Sequence, residues 1–338
     1  MKKNLILITV MLIFISAYIT TINNYMEAVQ NTNMTRKNDQ QNMNGVQIST
    51  FDSEGREINI AFPKIPERVV VDRMDNLETM LAFGLEKRIV LVSVRKGNIS
   101  YDNLEKQYGE RLKKIPGLDR MDFDLESVVD AEPDFILGWK STFTPRRIQT
   151  TSWWNKRGVK SYIVSTSNHV LPTGTIEDEC KYLSDIGKIF RVTDKSDQMI
   201  QEIHETLSDV KAKVSGRKSQ SVMAIELSGR AITNYDDGWI LGDMVKQMGG
   251  YMPVHSKVLG VEDLISYNPE VLFVIYLQES QRENIEKFLE SPKVSSLKAI
   301  RDKRVYLIQL DYIYAPGVKT IQGIRMVRDG LYPDLADT

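Results

Sequence analysis

The sequence predicts an α/β protein made of two similar three-layer lobes with central, mainly parallel sheets. One long hinge helix joins them, and a ligand cleft lies between. Three observations carry this. Strand-like apolar runs alternate with helical patterns from residue 68 to 166, a helix–strand unit recurs at an offset of 136 residues, and an amphipathic stretch spans residues 193–214 between the copies.

Taken in order, Arg68–Val71 is a short continuous apolar run, the form of a strand buried on both faces of a parallel sheet. Leu77, Met80 and Leu81 follow at helical spacing up to a glycine stop at Gly84. Arg88–Val94 is a second strand, Leu125, Val128 and Val129 mark a short helix, and Pro133 ends it before the strand Asp134–Trp139. Lys160–Ser165 is a fourth strand, and Asp178–Phe190 packs through Tyr182, Leu183, Ile186 and Ile189. The segment 125–137 then returns as 261–273, with the glutamate (Glu126, Glu262), the proline (Pro133, Pro269) and the following acid (Asp134, Glu270) in register. Leu77, Met80 and Leu81 return as Leu241, Met244 and Val245. A long-period repeat of this kind argues for two like lobes. Between them Met199, Ile203, Leu207, Val210 and Val214 recur at helical spacing, with Thr193 or Asp194 as the expected N-cap. At 1.5 Å per residue this helix is ~30 Å long, a stiff hinge that permits limited rocking.

The chain has 338 residues, 42% hydrophobic and 26% charged, which excludes a disordered chain and a polytopic membrane protein. Lys and Arg (44) nearly balance Asp and Glu (45), which gives no electrostatic case for a nucleic-acid partner. Cys180 is the only cysteine, so no internal disulfide forms, and the three histidines form no zincin motif. The N-terminus, Lys2-Lys3 followed by an apolar run from Leu5 to Ile22, has the shape of an export signal or an uncleaved anchor. Residues 23–44 contain ten Asn or Gln in 22 positions and read as a flexible tether. The expected divisions are 1–22 leader, 23–45 tether, 46–192 first lobe, 193–215 hinge and 216–338 second lobe.

Ligands of open α/β sheets bind beyond the carboxyl ends of the strands. The candidate lining is therefore Arg73, Met74, Trp139, Lys140 and Asn168 from the first lobe, and Tyr235, Trp239, Tyr276, Tyr312 and Tyr314 from the second. Aromatic faces suit a planar or catechol-like ligand, and the guanidinium of Arg73, with Lys140, suits anionic groups. Trp153 and Trp154 read as packing residues, His204 as part of a solvated helix face, and Asp236-Asp237 as a turn. His169 and His255 have no visible partner ligand, so no metal site is expected.

In its order of motifs the chain resembles the substrate-binding proteins of bacterial iron-chelate and cobalamin ABC importers, the helical-hinge class. The residues that carry the resemblance run from Asp52-x-x-Gly55-Arg56-Glu57 and Pro66-Glu67-Arg68 through Asp124-Leu125-Glu126 and Glu132-Pro133-Asp134. They continue through Gly249-Gly250, Glu262 and Asn268-Pro269-Glu270 to Ala315-Pro316-Gly317 and Tyr332-Pro333. The resemblance implies no catalysis and no resident cofactor. It implies a monomer that takes a ferric siderophore, haem or a corrinoid outside the cytoplasm and delivers it to an ABC permease dimer, with Glu126 and Glu262 docking on permease arginines. Haem would need an axial ligand, with Met74, His255 and the tyrosines as candidates. Lipid-anchored relatives have a cysteine after the signal; finding none here, the expectation is an exported protein that is not a lipoprotein. The rival readings are an extracytoplasmic α/β enzyme acting on a metal chelate, which would need an activated nucleophile or acid–base pair, and a ligand sensor without a permease.

Overall fold

The computed structural model describes residues 45–94, 96–118, 122–229 and 231–336. One compact unit takes in residues 48–60 and everything described from residue 65 onward, and residues 45–47 and 61–64 belong to a second, small unit. The expected leader and tether, residue 45 apart, lie outside the described residues. No helix among the described residues is long and apolar enough to cross a membrane.

After a two-stranded sheet of β1 (Val46–Phe51) and β2 (Glu57–Phe62), the first lobe runs β3 (Val69–Asp72), α1 (Met74–Ala82), β4 (Ile89–Ser93), α2 (Ile99–Lys113), α3 (Leu125–Asp130), β5 (Phe135–Gly138), α4 (Thr151–Asn155), β6 (Lys160–Ile163) and α5 (Ile176–Phe190). Its sheet has the order β4-β3-β5-β6, with every pairing parallel. All four residues of β3 and all four of β5 are buried, as strands covered by helices on both faces must be.

The long helix α6 spans Thr193–Val214 and buries Ile203, Leu207, Val210 and Val214. Its start differs from the expectation. Val192 is the N-cap and makes no side-chain cap, because α5 ends on a left-handed Arg191 (φ 55°) and the chain turns directly into α6. Thr193 is thereby drawn inside the helix.

The second lobe runs β7 (Val222–Ser228), β8 (Ala231–Asn234), α7 (Ile240–Gln247), β9 (Val258–Leu259), α8 (Val261–Tyr267), β10 (Val271–Tyr276), α9 (Arg282–Leu289), α10 (Lys298–Arg301), β11 (Val305–Gln309) and α11 (Thr320–Leu331). Its sheet has the order β11-β10-β7-β8-β9. The first three strands are parallel, and β8 runs antiparallel to its neighbours β7 and β9.

The repeat seen in the sequence is a repeat of structure. α3–β5 and α8–β10 are the same helix–strand unit, and β5 and β10 are each flanked by parallel strands on both sides. The residue before each proline is left-handed, Glu132 at φ 44° and Asn268 at φ 46°. The acid after each proline fastens the start of the neighbouring strand. Asp134 accepts from the backbone N–H groups of Glu67 and Arg68 just before β3 (2.9 Å each), and Glu270 accepts from Ser221 N just before β7 (3.1 Å). Hydrogen bonds from Lys298 outweigh partial burial, and with Lys218 and the Ser221 N–H they hold the Glu270 carboxyl down at about 2.

Candidate functional site

The loops beyond the carboxyl ends of β3, β4, β5 and β11 surround a cleft of about 590 Å³, the size expected of a small-molecule site. Its walls come from both lobes: Arg73, Met74, Asp75, Trp139 and Arg147 from the first, Leu310, Asp311, Tyr314 and Lys319 from the second.

Arg73 follows β3 and precedes α1 with φ 82° and ψ 152°, a conformation almost confined to glycine. This turn stations its guanidinium 4.9 Å from the centre of the Trp139 ring, with Nη2 donating to Ser141 Oγ at 3.2 Å. Its Nε lies 3.5 Å from Asp72 Oδ2 but makes no hydrogen bond, so a buried donor is left over beside the cleft. Asp72 is committed elsewhere. Its carboxylate, 1% exposed, is gripped by both terminal nitrogens of Arg147 (2.6 and 3.0 Å) and by the Thr142 hydroxyl. Arg147 also pairs with Asp122. Burial works against the Arg147 charge, yet the two carboxylates outweigh it and hold its pKa above the usual arginine value.

Aromatic rings run from one lobe into the other. Trp139 stands edge-on to Tyr314 (5.2 Å between ring centres), Tyr314 to Trp239 (5.0 Å), and Trp239 touches Tyr235 (5.0 Å) and His169 (4.4 Å). Asn168 ties this run to the first lobe: its backbone N–H donates to Tyr314 Oη (2.8 Å), and its side-chain oxygen accepts from Ser141 N (3.1 Å). Trp139 Nε1 donates to Asp75 Oδ2 at 2.9 Å. Burial, opposed by this hydrogen bond, pushes the Asp75 carboxyl up to about 8, so it is mainly neutral at pH 7.

Lys319, only 7% exposed, reaches from the second lobe onto α1, with Nζ 2.8 Å from Glu78 and 3.5 Å from Asp311. Burial opposes its charge, but Glu78 and Asp311 prevail and raise its pKa; burial likewise raises Glu78 against the pull of Lys319. Gly317 N donates to Glu179 Oε2 on α5 (2.8 Å), so Gly317 and Lys319, like Tyr314, fasten the segment after β11 to the first lobe.

Of the ten expected lining residues, Arg73, Met74, Trp139 and Tyr314 face the cleft. Trp239, Tyr235 and Asn168 join them through the ring run and the Asn168 clasp. Lys140 is placed elsewhere: its Nζ lies beside Gly55 in the β1–β2 turn. Tyr276 belongs to the core of the second lobe, its hydroxyl accepting from Arg282, and Tyr312 lies under Lys319 (5.4 Å) without lining the cleft. His255 pairs with Asp237 (2.9 Å) and is exposed. Sequence reading passed over Asp75, Arg147, Asp311 and Lys319. Asp75, next to the expected Met74, and Asp311, two residues past a strand, had a positional signal; Arg147 and Lys319 arrive from loops whose return to the site is a tertiary fact. Glu126 and Glu262 are exposed in the first turns of α3 and α8, and neither forms an ion pair among the described residues.

The family model for periplasmic binding proteins matches residues 69–312. The chain belongs to that family. Among its curated relatives is an uncharacterized ABC transporter substrate-binding lipoprotein, YvrC of Bacillus subtilis, 20% identical over 294 residues that cover 85% of this chain and 86% of the relative. A periplasmic binding protein from Veillonella parvula is 29% identical, superposes with a TM-score of 0.79, and covers 86% of this chain and 92% of its own. A component of a ferric hydroxamate transport system from Saccharomonospora viridis shares the fold at 16% identity and a TM-score of 0.65, covering 84% of this chain and 99% of its own. The two-lobed α/β architecture and the place in the periplasmic binding protein family are thereby settled. One expectation is corrected. The Bacillus relative is named a lipoprotein, which overturns the reading of this binding protein as not a lipoprotein; that reading rested on a single missing cysteine near the N-terminus.

Proposed function

We propose that this binding protein captures an intact iron chelate of the siderophore type in the cleft and hands it to the permease of an ABC importer. The observation that carries the reading is the run Trp139–Tyr314–Trp239, which crosses from one lobe to the other with the Arg73 guanidinium held over its first ring. A chelator that already saturates its ferric ion needs no protein ligand to the metal. It needs flat apolar faces to rest on and a cation for its oxyanions. The partly exposed Arg73 guanidinium at the cleft wall is such a cation. Haem is the less suited cargo: of the proposed axial ligands only Met74 and Tyr314 line the cleft, and the Tyr314 hydroxyl is already engaged by Asn168.

Delivery is assigned to Glu126 and Glu262, which occupy equivalent exposed positions on the repeated α3–β5 and α8–β10 units. The test is a titration with ferric hydroxamate, ferric catecholate, haem and cobalamin, followed by tryptophan fluorescence. Saturable quenching by a ferric siderophore is expected, and failure of all four to bind ends the reading. Charge reversal at both glutamates (E126R with E262R) should abolish uptake while the affinity of the purified protein stays within about twofold. Normal uptake by that variant removes the docking assignment.

A further inference from the structure

We propose that Glu177, Cys180 and His204 form a zinc-type divalent-metal site that staples α5 to α6. Glu177 and Cys180 lie one turn apart on α5, and His204 faces them from the middle of the hinge helix. Cys180 Sγ lies 3.9 Å from His204 Nε2, His204 Nε2 lies 2.9 Å from Glu177 Oε1, and the three ligand atoms all fall within 4.8 Å of one another. Tetrahedral zinc, with Zn–S of ~2.3 Å and Zn–N of ~2.0 Å, separates its ligands by roughly 3.3–3.7 Å. Turns of the Glu177 and His204 side chains, 68% and 48% exposed, bring the set to that spacing while the 4% exposed cysteine stays in place.

A hollow of about 310 Å³ opens beside Glu177 and His204, bordered by Leu207, Ser208 and Lys211, and leaves room for a water as fourth ligand. The donor set of one thiolate, one imidazole and one carboxylate suits zinc and excludes calcium and magnesium, which take oxygen ligands. On binding, Sγ gives up its proton to solvent and the imidazole binds as the neutral base. Zn²⁺ is then balanced by one thiolate and one carboxylate, with no change of oxidation state. The site lies outside the cleft and stands whether or not the cargo is a siderophore.

The full chain is titrated with Zn²⁺ against a chromophoric competitor, and with Co²⁺ as a spectroscopic probe. One equivalent should bind, and Co²⁺ should give a thiolate-to-cobalt charge-transfer band together with tetrahedral ligand-field bands. C180S should lose the charge-transfer band, and H204Q should weaken Zn²⁺ binding at least tenfold. If C180S fails to fold, H204Q decides alone, since its side chain is half exposed. No bound Zn²⁺, or wild-type affinity in H204Q, overturns the proposal.

Discussion

Arg73 occupies a backbone conformation nearly reserved for glycine, and such strain costs about 1–3 kcal/mol where a non-glycine residue bears it. The return is position, since the turn places the guanidinium over Trp139 at the cleft wall. R73G should therefore separate stability from binding. The urea midpoint should rise, by an amount worth about 1 kcal/mol, while chelate affinity falls at least tenfold. A variant that loses stability would show that the side-chain contacts outweigh the strain.

Asp75 gives a second separation. In the folded protein its carboxyl keeps its proton up to about pH 8, whereas the unfolded chain releases it near the ordinary aspartate value of 3.8. Between these pH values the folded state binds more protons than the unfolded state, so the contribution of Asp75 to stability falls as pH rises from about 4 to 8. A tenfold change in proton affinity is worth about 1.4 kcal/mol. Part of residue 75 borders the open cleft, so we expect a net effect of about 1–3 kcal/mol rather than the full amount. D75N keeps an acceptor for Trp139 and should stabilise the protein at pH 8 by that amount and not at pH 4, as read by urea unfolding at the two pH values. An equal gain at both would remove the assignment.

At the scale of elements, the hinge helix is set by how closely it approaches α5. A Cβ at Gly187 would lie 2.2 Å from Ser196 Oγ and 2.7 Å from Ser196 Cβ, so the start of α6 packs onto bare backbone of α5. G187A should cost about 1–3 kcal/mol, and S196G should restore part of it in the double variant, measured by thermal unfolding. Full additivity would place the strain elsewhere. Glycine is required here for contact, whereas Gly317 (φ 53°) is required for both conformation and contact with Thr79. Helical spacing predicts α6 with its correct span, since five apolar residues recur along one face and four of them, Ile203, Leu207, Val210 and Val214, are buried. Its N-cap was not legible, because Thr193 carries a capping side chain and only the tight α5–α6 turn draws it into the helix.

At the scale of the molecule, the lobes are linked by more than one helix. The segment after β11 crosses to the first lobe, where Lys319 pairs with Glu78 and Gly317 bonds to Glu179. Burial pushes the Glu179 carboxyl up to about 7, against hydrogen bonds from the Thr166 hydroxyl and the Gly317 N–H. Together α6 and this strap tie the lobes to each other, which suits limited rocking over a cargo. K319M should cost about 3–5 kcal/mol by leaving Glu78 buried without its cation. The double variant E78Q/K319M should recover at least half of that in urea unfolding. No recovery would show that the ion pair is not the source of the loss.

By itself the sequence determined the two-lobed α/β fold and its repeat, because buried parallel strands, amphipathic helices and proline stops are local patterns of apolar spacing. Even the acid after each proline was visible as Asp134 and Glu270, though its work of fastening the next strand was not. Tertiary structure alone decided which charged groups meet. Arg147 reaches Asp72 across 75 residues, Lys319 reaches Glu78 across 241, and His204 meets Cys180 across two helices, while Lys140 turns away to the β1–β2 turn. Side-chain partners are set by where loops and helix faces return in space, and no period in the chain records that.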